Sequence, residues 1–299
     1  MSGYIYGLFW NNGYENFDFV YTDKNQEKNI TLNTSNIDKI ILTELINLNH
    51  VEINNIQIDN LTDIFCKLPF ESLTINKCKI NSIENLKLNK TCKKIIVIDT
   101  QINNYESLQE MNIAHIRIQN SNIKLDFLNN CKQLKEIIYK NNHIEHIPCL
   151  SNLKNLTTLI LGNNKIKNIS ELKFLINLEI LDLSNNDIDN IDVLEYLKKI
   201  KYLYLDKNNI DNIKSLEELD KMKYINISSN NIKNIDLIIN FTDLEGFDIK
   251  NNKIQNLPNL LNFNNLDYNN VNIDWENINS VNGMKGFLLI KNIIKSLKS

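Results

Sequence analysis

The chain has 299 residues, 42% of them hydrophobic, and a formal charge of −3 with no block of like charge. That supplies a sizeable core and excludes the electrostatic footprint of a nucleic-acid or anionic-membrane binder. Five cysteines at unpaired spacings (Cys66, Cys78, Cys92, Cys131, Cys149) argue against a disulfide framework, and seven glycines offer no phosphate-cradling loop.

Residues 1–26 open the chain with two β-rich runs, Tyr4 to Trp10 and Phe17 to Tyr21, around the turn signal Asn11-Asn-Gly13. They are predicted to form a hairpin cap. The N-terminus has no basic n-region, and no uncharged apolar run reaches the ~20 residues needed to span a bilayer. A soluble, cytoplasmic protein is expected. Abundant Asn and Ile, with Arg117 the only arginine, have the imprint of an AT-rich genome.

From Glu27 to about Trp275 a single pattern recurs in twelve units, mostly at a step of 21 or 22 residues. A fixed period in the twenties signals a repeat architecture. The units begin at Glu27, Leu48, Phe70, Cys92, Ile113, Leu134, Leu156, Leu178, Ile200, Met222, Leu244 and Phe263, the last after a shorter step. The most regular copy is Leu156-Thr-Thr-Leu159-Ile-Leu161-Gly-Asn-Asn164-Lys-Ile166. Counting its first leucine as position 1, positions 4 and 6 are apolar throughout, which makes them the inward face of a short strand. Apolar residues at spacing three follow, such as Ile169-Leu172-Leu175, and suit a 3-10 or short helical return.

The pattern Leu-x-x-Leu-x-Leu-x-x-Asn-x-Ile-x-x-Ile-x-x-Leu resembles the leucine-rich repeat in its 22-residue subclass. That subclass includes regulatory subunits of protein phosphatase 1 and the bacterial internalins. The resemblance implies an α/β fold: a right-handed solenoid with a concave parallel β-sheet and convex 3-10 returns. Position 9 reads Asn142, Asn164, Asn186, Asn208, Asn230 and Asn252, an asparagine ladder able to satisfy backbone groups of adjacent coils. In the earlier units it reads Ser35, Ile56, Cys78, Thr100 and Ser121, so a less regular N-terminal half is expected. Val271 is expected to interrupt the ladder in the last unit. Residues 276–299 end the chain with an amphipathic segment, Phe287 to Leu297, predicted to be a helical cap.

No acid–base–nucleophile set is discernible, so neither enzymatic activity nor a cofactor is expected. His143, His146 and Cys149 form the densest group of metal-ligand types, but the repeat register spreads them over rim, loop and return, and solvated turn residues are expected rather than a metal site. The informative positions are 3, 5 and 7, which face away from the core. Ile96, Ile98, Ile138, Ile160 and Ile180 form an apolar stripe with Arg117; Tyr202, Tyr204 and Tyr224 cluster beside it; Asp182, Asp206, Asp248 and Asp267 form an acidic flank. β-propensity alone accounts for Ile and Tyr on a strand. A contact surface accounts for the aromatic cluster and its acidic flank together. The expected function is a scaffold or regulatory subunit binding a protein partner, such as a phosphatase or another host or cellular protein bearing a basic patch. An internalin-like host-recognition module is the alternative. Nucleic acid and membrane are not expected partners.

Overall fold

A computed structural model describes residues 4–5, 19–24, 27–32, 48–61, 68–258, 263, 265–278, 280–281 and 296. The chain divides into two compact units, Met1–Asn142 and His143–Ser299. Both are built from the predicted coil: a short strand, a tight turn and a 3-10 return.

In the N-terminal unit, parallel strands Leu48–Asn54, Phe70–Asn76, Lys94–Ile98, His115–Gln119 and Glu136–Lys140 follow one another in register. They extend a sheet begun by Glu27–Leu32, which pairs antiparallel with Phe19–Lys24. That strand in turn pairs antiparallel with Tyr4–Ile5. The turn expected at Asn11–Gly13 lies outside the described residues. The inward pairs Val51/Ile53, Leu73/Ile75, Ile95/Val97, Ile116/Ile118 and Ile137/Tyr139 are all buried, as period-2 alternation requires.

The C-terminal unit repeats the coil with three-residue strands, Thr158–Ile160, Ile180–Asp182, Tyr202–Tyr204, Tyr224–Asn226 and Gly246–Asp248, all parallel. Its returns are 3-10 helices at Ser170–Phe174, Asp192–Tyr196, Lys214–Leu216 and Asp236–Asn240. Spacing-three leucines such as Leu172, Leu194 and Leu216 point to the core from these returns and are fully buried. Each contributes roughly 1.5–3 kcal/mol of burial. Among the described residues no helix is long and apolar enough to cross a membrane. The C-terminal helix expected over Phe287–Leu297 lies outside the described residues.

The asparagine ladder stitches coil to coil. Asn208 Nδ2 donates to Leu183 O and Leu205 O, each at 3.0 Å, and its Oδ1 accepts from Ile188 N, also at 3.0 Å. Asn186 and Asn230 repeat this arrangement one coil either side. Where the column holds shorter side chains, the stitch moves. Thr100 Oγ1 accepts from Cys78 N at 3.0 Å, and Cys78 Sγ accepts from Ile56 N at 3.5 Å. The amide reached is at position 9 of the preceding coil, as it still is for Asn142, where Asn164, Asn186, Asn208, Asn230 and Asn252 reach position 11. The residues after it are thereby released to form a second parallel sheet, Gln57–Asn60, Lys79–Ser82 and Gln101–Asn104. The N-terminal half thus departs from the asparagine-ladder coil, as expected, by carrying a second sheet.

One register differs from the sequence reading. Val271 pairs with Phe247 and Asn272 with Asp248, so Val271 is a buried strand residue at position 4, not a break in the asparagine ladder. The last coil starts at Leu266, a full 22 residues after Leu244, and Tyr268–Asn270 inserts a 3-10 turn before its strand. Asp267 N donates to Glu245 O as Glu245 N does to Lys223 O, which puts Asp267 at position 2, on the rim.

Candidate functional site

Strand geometry turns the outward positions of the C-terminal unit into columns. In-register pairing sets Ile180, Tyr202, Tyr224 and Gly246 side by side in one, and Asp182, Tyr204, Asn226 and Asp248 in the next. Position 7 adds Ser184, Asp206, Ser228 and Lys250. The Tyr204 and Tyr224 rings lie 5.5 Å apart at 39°. Tyr224 has room because Gly246 stands beside it: a Cβ there would come within 3.3 Å of the Tyr224 ring and 2.5 Å of Asn270 Cβ.

Three aspartates share this face, and the backbone and hydroxyls fix their geometry. Asp182, buried, accepts from Ser184 N at 3.0 Å and from Ser184 Oγ at 2.6 Å. Asp206 Oδ1 accepts from Asn226 Nδ2 at 3.0 Å, while Asn226 Oδ1 accepts from Ser228 N and Oγ. Asp248 Oδ1 accepts from Lys250 N at 3.1 Å. Partial burial, with the charges of Asp182 and Asp248, raises the Asp206 carboxyl above the usual range. Burial also pushes up the Tyr204 and Tyr224 hydroxyls, reinforced by Asp182 for Tyr204 and chiefly by Asp248 for Tyr224. The field over these rings is negative.

Two rim carboxylates beside this face are neutralised. Lys201 pairs with Glu179 and Lys223 with Glu245, each at 2.7 Å. Among the described residues no lysine or arginine forms an ion pair with Asp206 or Asp248.

The sequence-predicted residues thus fall into distinct places. Tyr202, Tyr204, Tyr224, Asp182, Asp206 and Asp248 come together in the C-terminal unit. Asp267 does not join them; two residues inserted before the last strand leave it on the rim, tied to Asn269 and Asn270. Nor is the isoleucine stripe continuous within either unit. Arg117, exposed, stands between Ile96 and Ile138 in register, with its guanidinium on Gln119 Oε1 at 3.2 Å. Ile98 sits beside Gln119 and Asn76. In the C-terminal unit Ile160 faces Asp182, and Ile180 lies between Thr158 and Tyr202. Sequence reasoning passed over Asn226, Ser184 and Ser228, although the Asp/Asn-x-Ser spacing at 182/184 and 226/228 signals a side chain folded back on its own backbone.

His143, His146 and Cys149 are exposed, with Cys149 Sγ 3.3 Å from Ser151 Oγ, and among the described residues no group of three or more His, Cys, Asp or Glu is placed to hold a metal. Cys78, Cys92 and Cys131 are buried core residues. The thiols of Cys92 and Cys131 are pushed up to about 12 by desolvation.

The repeat period, the strand register and the asparagine stitch meet in one comparison: the leucine rich repeat family matches residues 154–210. That stretch belongs to the leucine rich repeat family, and the described coils have the leucine-rich-repeat fold. Solved structures agree on the fold of this leucine-rich-repeat chain. Internalin C2 of Listeria monocytogenes is similar at 23% identity and a TM-score of 0.57, over 60% of this chain and 80% of its own. The internalin InlF of the same organism is 20% identical with a TM-score of 0.60, over 79% of this chain and 80% of its own. The functional domain of its InlJ, described as including a cysteine ladder, is 19% identical with a TM-score of 0.56, over 75% of this chain and 53% of its own. No curated protein matches the chain in sequence.

Proposed function

We propose that this leucine-rich-repeat chain is a non-enzymatic binding module, and that the outward sheet face of its C-terminal unit takes a basic surface of a protein partner. The observation that carries this reading is the contrast between rim and face. Glu179 and Glu245 on the rim have lysine partners at 2.7 Å, whereas among the described residues Asp206 and Asp248 lie beside tyrosine rings without one. Tyrosine supplies large, rigid contact area at low entropic cost and is enriched in interface hot spots. Unneutralised carboxylates add long-range attraction for a cationic patch and set the orientation of docking. A phosphatase subunit or a host surface protein would each satisfy this chemistry if it presented such a patch.

Affinity capture from the native source, quantified by mass spectrometry, tests the reading with three full-length baits. Wild type and a Lys214→Ala variant on the return side should retain one common partner. The Tyr202→Ala/Tyr204→Ala/Tyr224→Ala variant should lose it by about tenfold or more, the scale of a modest hot spot. Equal capture by all three baits would remove the face from the function.

A further inference from the structure

Resting on that binding reading, we infer that Tyr204, Tyr224 and Asp206 form a receptor site for a single arginine side chain of the partner. The two half-buried rings pack on each other, 5.5 Å between centroids and tilted by 39°, so a cation can stack on an outward ring face but not enter between them. A guanidinium stacks on such faces and keeps its edge free for hydrogen bonding, whereas an ammonium offers only a strongly hydrated point charge. Asp206 supplies the edge partner. Its Oδ1 is fixed by Asn226 Nδ2 at 3.0 Å, and Asn226 is itself held by the amide and hydroxyl of Ser228. The carboxylate is therefore oriented before any ligand arrives, which lowers the entropic cost of binding.

The surrounding charges favour the same occupant. Asp182 and Asp248 flank the site on the neighbouring column, and the rim lysines Lys201 and Lys223 are held by Glu179 and Glu245. Lys207, whose charge acts on Asp206, and Lys250, in the same column as Asp206, are exposed and form no ion pair with Asp206 or Asp248 among the described residues. A partner arginine would pair with a carboxylate that has no ion-pair partner among the described residues, in a setting where a charge-assisted pair is stronger than in bulk water.

The test uses the full-length protein and three capped tripeptides, Gly-Arg-Gly, Gly-Lys-Gly and Gly-citrulline-Gly, followed by NMR at the Asn226 side-chain amide and the Tyr204 and Tyr224 ring signals. The arginine peptide should shift all three saturably, in the millimolar range expected of one stacked, charge-paired side chain. The lysine peptide should bind several-fold more weakly, and citrulline, which has the arginine shape without its charge, should leave the signals in place. Asp206→Asn should reduce arginine binding by about tenfold, the loss of one charge-assisted bond. Tyr204→Leu provides a second variant that leaves the carboxylate intact, and it should also weaken binding. Equal shifts by arginine and citrulline, or none by arginine, would overturn the assignment. If the peptides fail while partner capture still depends on the face tyrosines, the arginine site falls and the binding face stands. Arginine binding with capture independent of the face reverses that outcome.

Discussion

Asn208 shows how much one side chain contributes in a fold made of stacked coils. It satisfies two strand-end carbonyls and one amide, all deep in the C-terminal unit, where water cannot replace it. Truncation strands those groups, at a cost of roughly 1–3 kcal/mol for each left unsatisfied. Asn208→Ala should therefore lower unfolding free energy by about 2–4 kcal/mol in urea titrations. Cys78→Ala, whose thiol makes longer and weaker contacts at 3.2–3.5 Å, should cost less than about 2 kcal/mol. An equal loss at both positions would contradict the geometric account of the ladder. The cysteines give a second measurement at this scale. Cys92 and Cys131 are buried with thiols pushed up to about 12, so neither forms thiolate near neutral pH, while Cys149 is exposed. Alkylation of the native protein at pH 8, mapped by peptide mass, should mark Cys149 and spare Cys92 and Cys131 until denaturant is added. Rapid labelling of either buried thiol would mean that its coil opens.

At the scale of the coil, local chemistry explains both what the sequence disclosed and what it hid. Inward positions and returns were readable because Leu and Ile recur at spacings that only this geometry uses. The left-handed turn residue was not singled out, since Asn55, Lys77, Asp99, Asn163, Lys207 and Ser229 share a positive φ but no common side chain. Nor was the second asparagine column: Asn168, Asn190, Asn212 and Asn234 accept from the amide two residues on and start each 3-10 return. In so asparagine-rich a chain this signal was masked by composition. The last coil was misregistered because Phe263, Leu266 and Tyr268 imitate the repeat spacing, whereas the buried residue that continues the 22-residue step is Leu266. The face tyrosines were legible from their columns; the hydrogen bonds that orient Asp206 and Asp182 required the strand register. Gly246 tests the packing of this last coil. A methyl there would meet Asn270 Cβ at 2.5 Å and the Asn270 carbonyl at 2.9 Å, so backbone must move. At Gly162 the nearest atoms are side-chain ones, the Ser184 hydroxyl at 2.8 Å and Asp182 Oδ1 at 3.1 Å, which can give way without backbone movement by loosening their own hydrogen bond. Gly246→Ala should cost about 1–3 kcal/mol, the range for overpacking, and Gly162→Ala distinctly less. The reverse order in thermal unfolding would show that the last strand is not packed against Asn270.

For the molecule as a whole, the binding role proposed for the acidic face predicts a cost in stability. Asp206 is more easily protonated in the fold than in the unfolded chain because of partial burial and of Asp182 and Asp248. A carboxyl raised in the folded state leaves stability untouched below its unfolded value. It then subtracts stability as pH rises through that value toward the folded one, and the loss is complete above it. Asp206→Asn removes the titration but keeps an oxygen to accept from Asn226, so the variant should melt higher than wild type at pH 7. The difference should shrink as pH falls through the usual carboxylate range and vanish near pH 3, below the unfolded value of about 3.9. Wild type melting higher at pH 7 would make Asp206 a structural carboxylate. With the expected sign, its retention needs a reason outside the fold, since sites that work against stability concentrate where a protein binds or reacts. The same substitution that strengthens the solenoid should then weaken the capture of arginine, and two measurements on one variant would separate the needs of the coil from those of the site.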